Sequence, residues 1–150
     1  MGLYVSRVKA TDERETPHAL WEAYDREFGF TLDVCAAPGN AKCSRFFTAQ
    51  DDGLAQDWGT HVCWMNPPYS NCGAWVRKAA QAAQAGATVV ALVPSATDTR
   101  WWHECTPRAE VRFLRGRLRF VGTKGSAPFP SAILIFRPGE SREPVNGSKR

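Results

Sequence analysis

The chain has 150 residues, 43% hydrophobic and 23% charged, with 19 basic against 15 acidic side chains and a formal charge of +4. A chain of this size buries roughly 70% of its unfolded surface, enough for a core without metal or disulfide staples, which excludes a disordered or cysteine-stapled chain. No apolar run is long enough for a secretory or membrane-spanning segment, so the expectation is a cytoplasmic protein with no membrane partner.

Five cysteines, Cys35, Cys43, Cys63, Cys72 and Cys105, are odd in number and lack the close pairs of a zinc site; they read as buried free thiols, with no metal expected. Between Arg108 and Arg119 stand five arginines and one acid, so this segment alone carries +4. Such a stripe suits phosphates, and equally suits a solvated edge strand protected by charge. Low-complexity blocks and repeats are absent, and residues 1–15 and 139–150 are expected to be flexible ends of a single domain over 16–138.

Thr16 suits an N-cap with Pro17 at the first helical position, and Leu20, Trp21, Tyr24 and Phe28 recur at helical spacing, predicting a helix over 17–28 that ends near Gly29. Phe30, Leu32 and Val34 alternate with polar residues as a strand running into the small-residue loop Ala36-Ala37-Pro38-Gly39-Asn40. A second strand, Val62–Met65, runs into Asn66-Pro67-Pro68-Tyr69. Trp75, Val76, Ala79, Ala80 and Ala83 then mark a helix closed by Gly86. Thr88–Val93 is the continuous apolar run of a strand buried on both faces. A short helix over 99–105 precedes strands at Val111–Leu114, Leu118–Val121 and Ala132–Phe136. This order predicts an α/β fold with a mostly parallel sheet and an antiparallel C-terminal hairpin, whose ligands sit at the carboxyl ends of the strands. The loops after Val34, Met65 and Val93 are therefore expected to share one crevice.

Asn66-Pro67-Pro68-Tyr69 directly after an apolar strand carries the strongest chemical signal. The lone pair of an exocyclic amine is delocalised into its ring and must be localised before it attacks a sulfonium methyl. Two acceptors facing the amine hydrogens achieve this, here the Asn66 side-chain oxygen and the Pro67 carbonyl, which Pro68 holds rigid. Tyr69 offers a face on which an extruded base stacks. A plain strand-end turn is the competing reading.

With Thr16-Pro17, FTLDVCAAPGNAKC (30–43), FFTAQDDGL (46–54), Trp58, NPPYS (66–70), ALVPSATDTRWW (91–102), VRFLRGRLRF (111–120) and APFPSAILIF (127–136), the chain resembles the phage-type, or Dam-type, DNA N6-adenine methyltransferases over residues 16–138. The resemblance implies a Rossmann-like S-adenosylmethionine-dependent methyltransferase fold, S-adenosylmethionine as donor, adenine in DNA as acceptor, and action in the cytoplasm of a bacterial host if phage or prophage encoded. It implies a cofactor loop formed by Asp33, Cys35, Ala36, Ala37 and Asn40, with backbone amides near the methionine carboxylate and with Thr16 and Pro17 lining that end. Asp51 or Asp52 would bind the cofactor's adenine amine. Phe129 would pack either against the flipped base or in the core. Apart from the resemblance, Arg115, Arg117 and Arg119 occupy alternate positions that on a strand project from one face, and they are expected to contact DNA phosphates.

Only 33 residues separate Asp33 from Asn66, too few for a further helix and strand carrying a ribose-binding acid. The same tetrapeptide serves methyltransferases acting on RNA bases or protein glutamine, and a catalytically inactive DNA-binding module or a Rossmann-like domain for another nucleotide would share the fold. The arginine segment favours DNA and the intact loop favours catalysis. No G-x-G-x-x-G or phosphate-loop pattern supports the nucleotide-binding alternative.

Overall fold

The computed structural model describes residues 14–37 and 39–139. The segments expected to be flexible lie outside these residues, except Arg14, Glu15 and Gly139.

Helix α1 spans His18–Phe28 and ends at Gly29, whose positive φ of 70° lets its N–H return to the Asp25 carbonyl at 2.7 Å. Its start differs from the expected cap. The Pro17 carbonyl, rather than the Thr16 side chain, opens the helix by accepting from Leu20 and Trp21, and Thr16 is buried elsewhere. Strand β1 is the two-residue ladder Leu32–Asp33. Bonds from Thr31 N–H to Val62 and from Val34 N–H to Trp64 extend the contact to the length expected.

Strand β2 is Val62–Met65, helix α2 Cys72–Gln84, strand β3 Thr88–Pro94 and helix α3 Arg100–Cys105. Strands β4 and β5 are Glu110–Phe113 and Ser131–Phe136. The five form one sheet in the order β1-β2-β3-β5-β4, with β1, β2 and β3 parallel and β5 antiparallel to both β3 and β4. Four strands therefore run one way, and the last enters between two of them.

The strand expected at Leu118–Val121 is absent. Residues 114–130 form an irregular crossing in which Leu118 and Phe120 turn toward the sheet while Arg117 and Arg119 face solvent. Its one bridge joins Val121 to Glu15. The alternation arises because the loop lies on an apolar face; among the described residues no strand lies beside it to complete a ladder.

Side chains alternate across the sheet. Cys63, Met65, Val89, Ala91, Val93, Leu134 and Phe136 pack under α2 and α3 with Trp101 and Trp102, which are core residues. Trp64, Val90, Leu92, Ile133 and Ile135 face Phe120, Ala127 and the aromatic side of α1. Helix α1 buries no residue completely. Its hold is reinforced by Glu27, whose carboxylate takes both terminal Arg112 nitrogens at 2.7 and 2.8 Å, and by Phe30, whose ring lies tilted 5.4 Å from that of Trp64.

Between β1 and β2 the chain forms only a bridge at Phe46 and a short 3-10 turn, Gly53–Ala55, among the described residues. Among the described residues this crossover carries neither an α-helix nor a further strand. The groove beside β1 is left open for a ligand.

Candidate active site

A cavity of about 340 Å³ opens at the carboxyl ends of β1 and β2. The loops after Val34 and Met65 line it, but the loop after Val93 does not. That loop instead ties to the 114–130 crossing, where Ser95 N–H donates to the Pro130 carbonyl at 2.9 Å.

Asp33 organises the wall after β1. Its Oδ1 accepts from Cys35 N–H at 3.2 Å and its Oδ2 from Lys42 N–H at 3.0 Å, so one carboxylate draws the two ends of the loop together. Burial raises the Asp33 carboxyl above its ordinary value, opposed by these two amides and by the Lys42 charge. Asn40 Oδ1 takes the Ala37 N–H at 2.8 Å, and Ala36 N–H donates to Phe47. Cys35, Ala36 and Ala37 all line the cavity, with their amides engaged in holding the loop.

The pair Asp51-Asp52 divides its work. Asp51 Oδ2 accepts from the Thr48 N–H and hydroxyl at 2.8 and 3.0 Å, fixing a turn, and it is not on the cavity wall. Asp52 lines the cavity and holds a left-handed φ of 55°, alone among non-glycine described residues. Such a backbone is uncommon and is kept where surrounding structure demands it. Gly53 follows because a Cβ there would sit 2.3 Å from the Val34 carbonyl oxygen. The close approach brings the Asp52 turn against the β1 loop.

Asn66 joins this wall to the preceding segment. Its Nδ2 donates to the Arg14 carbonyl and, at 3.1 Å, to the Thr16 hydroxyl. A carbonyl can only accept, so the amide nitrogen must face it and the amide oxygen must face away. Asn66 Oδ1 is buried and has no hydrogen-bond partner among the described residues. Thr16, read as a cap from sequence, thus orients this side chain. Pro17 and Pro67 do not line the cavity, whereas Pro68 does.

Tyr69 lies beyond Pro68 in an aromatic recess. Its ring meets Phe129 at 5.2 Å and Phe120 at 6.2 Å, both edge-on, and the Arg14 guanidinium stands 5.1 to 5.9 Å from all three ring centres. Phe129 therefore belongs to this recess and is only half-buried. Burial raises the Tyr69 phenol, against the pull of Arg14, so it stays neutral. The Arg14 guanidinium that lies among these rings also lines the cavity, and so connects the recess to it.

The arginine segment splits in two. Arg112 is spent on Glu27 and Glu110. Arg115, Arg117 and Arg119 are exposed and make no ion pair among the described residues, but they sit on the 114–130 crossing rather than on a strand.

The cysteines are free. Burial pushes the Cys63 and Cys72 thiols, which flank the Asn66 loop in sequence, up to about 12, leaving neither as a thiolate nucleophile at neutral pH. Arg14, Glu15, Lys42, Trp64 and Trp75 also line the cavity and were not singled out from sequence. Trp75 was legible only as a core position of its helix. Glu15 and Lys42 sit in aperiodic stretches that carry no signal of their own.

A family model described as DNA N-6-adenine-methyltransferase (Dam) matches residues 6–144. The DNA N-6-adenine-methyltransferase of Haemophilus phage HP1 (strain HP1c1) is 32% identical over 117 residues, covering 73% of this chain and 68% of that protein. The protein of the same description from Escherichia phage T1 is 28% identical over 96% of this chain and 64% of its own length. The chain thus spans about two thirds of each of these relatives.

Proposed function

The chain belongs to the DNA N-6-adenine-methyltransferase (Dam) family, enzymes that methylate the N6 amine of adenine in DNA; we propose that it takes the methyl from S-adenosylmethionine in the cavity between β1 and β2. Family membership sets aside RNA bases, protein glutamine and a non-catalytic module as the main reading. The single observation that carries the mechanism is the buried, unpartnered Asn66 Oδ1, held in place through its own amide nitrogen.

The residues present fit such a donor. The cavity volume lies within the few-hundred-Å³ range of cofactor sites. Its wall combines the small residues Ala36, Ala37 and Gly53 and the indole of Trp75 with the polar groups of Asp52 and Lys42. Asp52 is the acid suited to an adenine amine, since Asp51 is engaged by Thr48. When bound, the donor supplies a methyl on a positively charged sulfur, which leaves as a neutral thioether.

The protein's part is positioning. Tyr69 supplies the ring face on which the extruded base stacks, with Phe129 bounding it edge-on, and Asn66 Oδ1 accepts one hydrogen of the amine while the Pro67 carbonyl accepts the other. Both acceptors strengthen as the nitrogen rehybridises, so they act on the transition state more than on the bound base. Arg115, Arg117 and Arg119 hold the DNA backbone beside the recess. The mixed sheet is read as a Rossmann-like methyltransferase sheet, and the setting as the cytoplasm of a bacterial host cell. Among the described residues no helix is long and apolar enough to cross a membrane.

Calorimetric titration with S-adenosylmethionine tests the donor. One-to-one binding is expected, weakened at least about tenfold in Asp52→Ala through loss of a charge-assisted hydrogen bond and at least as much in Asp33→Ala, which frees the Cys35 and Lys42 amides. Unchanged affinity in both folded variants would remove the donor from this cavity.

A further inference from the structure

One cation and one anion in the cavity have no part in the chemistry above. Lys42 Nζ lies 3.6 Å from a Glu15 carboxylate oxygen, with the Lys42 side chain only 13% exposed and that of Glu15 38% exposed. Both line the cavity. Each is held by its backbone: Lys42 N–H bonds to Asp33 Oδ2, and the Glu15 carbonyl accepts from Val121 N–H at 3.0 Å.

The loop amides that would otherwise serve a ligand carboxylate are committed. Cys35 N–H donates to Asp33, Ala36 N–H to Phe47 and Ala37 N–H to Asn40. Of the other charged groups on the wall, Asp33 has both oxygens taken by amides, Arg14 sits among three rings, and Asp52 carries the wrong sign for a carboxylate. Lys42 is the remaining cation positioned for a carboxylate there.

We propose that Lys42 and Glu15 form a clamp for the zwitterionic amino-acid end of the methyl donor, Lys42 pairing with its α-carboxylate and Glu15 with its α-ammonium. This rests on the reading of S-adenosylmethionine as donor. Without ligand the two side chains neutralise one another, so the cavity need not hold an uncompensated charge. With ligand, one loose ion pair is exchanged for two charge-assisted contacts.

Two probes separate the clamp from the donor reading. S-adenosylhomocysteine carries the zwitterion, and 5′-methylthioadenosine keeps the nucleoside thioether without it. Calorimetry should show S-adenosylhomocysteine affinity about tenfold or more lower in Lys42→Met and in Glu15→Gln, with methylthioadenosine affinity unchanged within about twofold and Lys42→Arg retaining most of the affinity. Thermal unfolding establishes that each variant is folded, and Lys42→Arg carries the charge test if Lys42→Met is not. Equal losses for both probes, or no loss for S-adenosylhomocysteine, overturn the clamp while leaving the donor in place. Failure of the unaltered protein to bind either probe overturns the donor reading and the clamp with it.

Discussion

Asn66→Ala is expected to lower kcat by about 10²- to 10³-fold, the scale seen when one preorganised hydrogen-bonding group is removed from a transition state. The dissociation constant for S-adenosylmethionine should change by less than about threefold. The reason lies in the division of the amide: Nδ2 is anchored on Arg14 and Thr16, and the buried Oδ1 has no hydrogen-bond partner among the described residues. Asn66→Asp separates the two roles. It keeps an acceptor oxygen but sets a carboxylate against the Arg14 carbonyl, so it should also be slow, and it should lose more stability than alanine, which removes the bonds to Arg14 and Thr16 without adding a charge. Single-turnover rates with labelled donor, read beside calorimetry, check both variants. A near-normal single-turnover rate in folded Asn66→Ala would remove this residue from the transition state.

Replacing Arg115, Arg117 and Arg119 together by Gln is expected to weaken DNA binding on the order of 100-fold near 0.1 M salt, and to flatten the slope of log K against log salt by about 2 to 3. The loss should fall evenly across sequences, because phosphate contacts position the duplex without reading it. Thermal stability should hardly move, since all three side chains are exposed and make no ion pair among the described residues. Arg112→Gln should behave the opposite way, loosening α1 from β4 with little change in salt slope. Fluorescence anisotropy on a labelled duplex at several salt concentrations measures the slope. An unchanged slope in the triple variant would make these arginines a solvated surface and nothing more.

The two arginine groups show where sequence is informative and where it stops. Alternation of apolar residues with arginine over 117–120 correctly identifies which side chains face the protein. It cannot say whether a neighbouring strand supplies hydrogen bonds, and among the described residues none does beyond the bridge to Glu15. Helices α1 and α2 were legible as runs of helical period and strands β2 and β3 as short continuous apolar runs, with glycine or proline near the ends of each. Asp33 and Asn66 were legible for a related reason: each follows or ends a strand whose direction fixes where its loop must go. The role of Thr16 was not, because a threonine before proline reads as a helix cap. Only the fold shows that the segment doubles back to meet Asn66. Lys42 and Glu15 lie 27 residues apart by number in stretches without period, and their meeting is set by Asp33 on one side and Val121 on the other. The aromatic recess was half legible. Tyr69 announced itself beside Asn-Pro-Pro, Phe129 left two readings open, and Arg14 fell in a stretch expected to be flexible.

The central claim is that this cavity and recess deliver a methyl to adenine N6 in DNA with Asn66 Oδ1 facing the amine. Its most direct measurement is nucleoside analysis of DNA after incubation with methyl-labelled S-adenosylmethionine, with RNA and protein acceptors in parallel and the Asn66→Ala variant beside the unaltered chain. The account predicts label only in N6-methyldeoxyadenosine, lost by about two orders of magnitude or more in the variant. Label in cytosine, in RNA or in protein, or equal N6 labelling by both proteins, would contradict it.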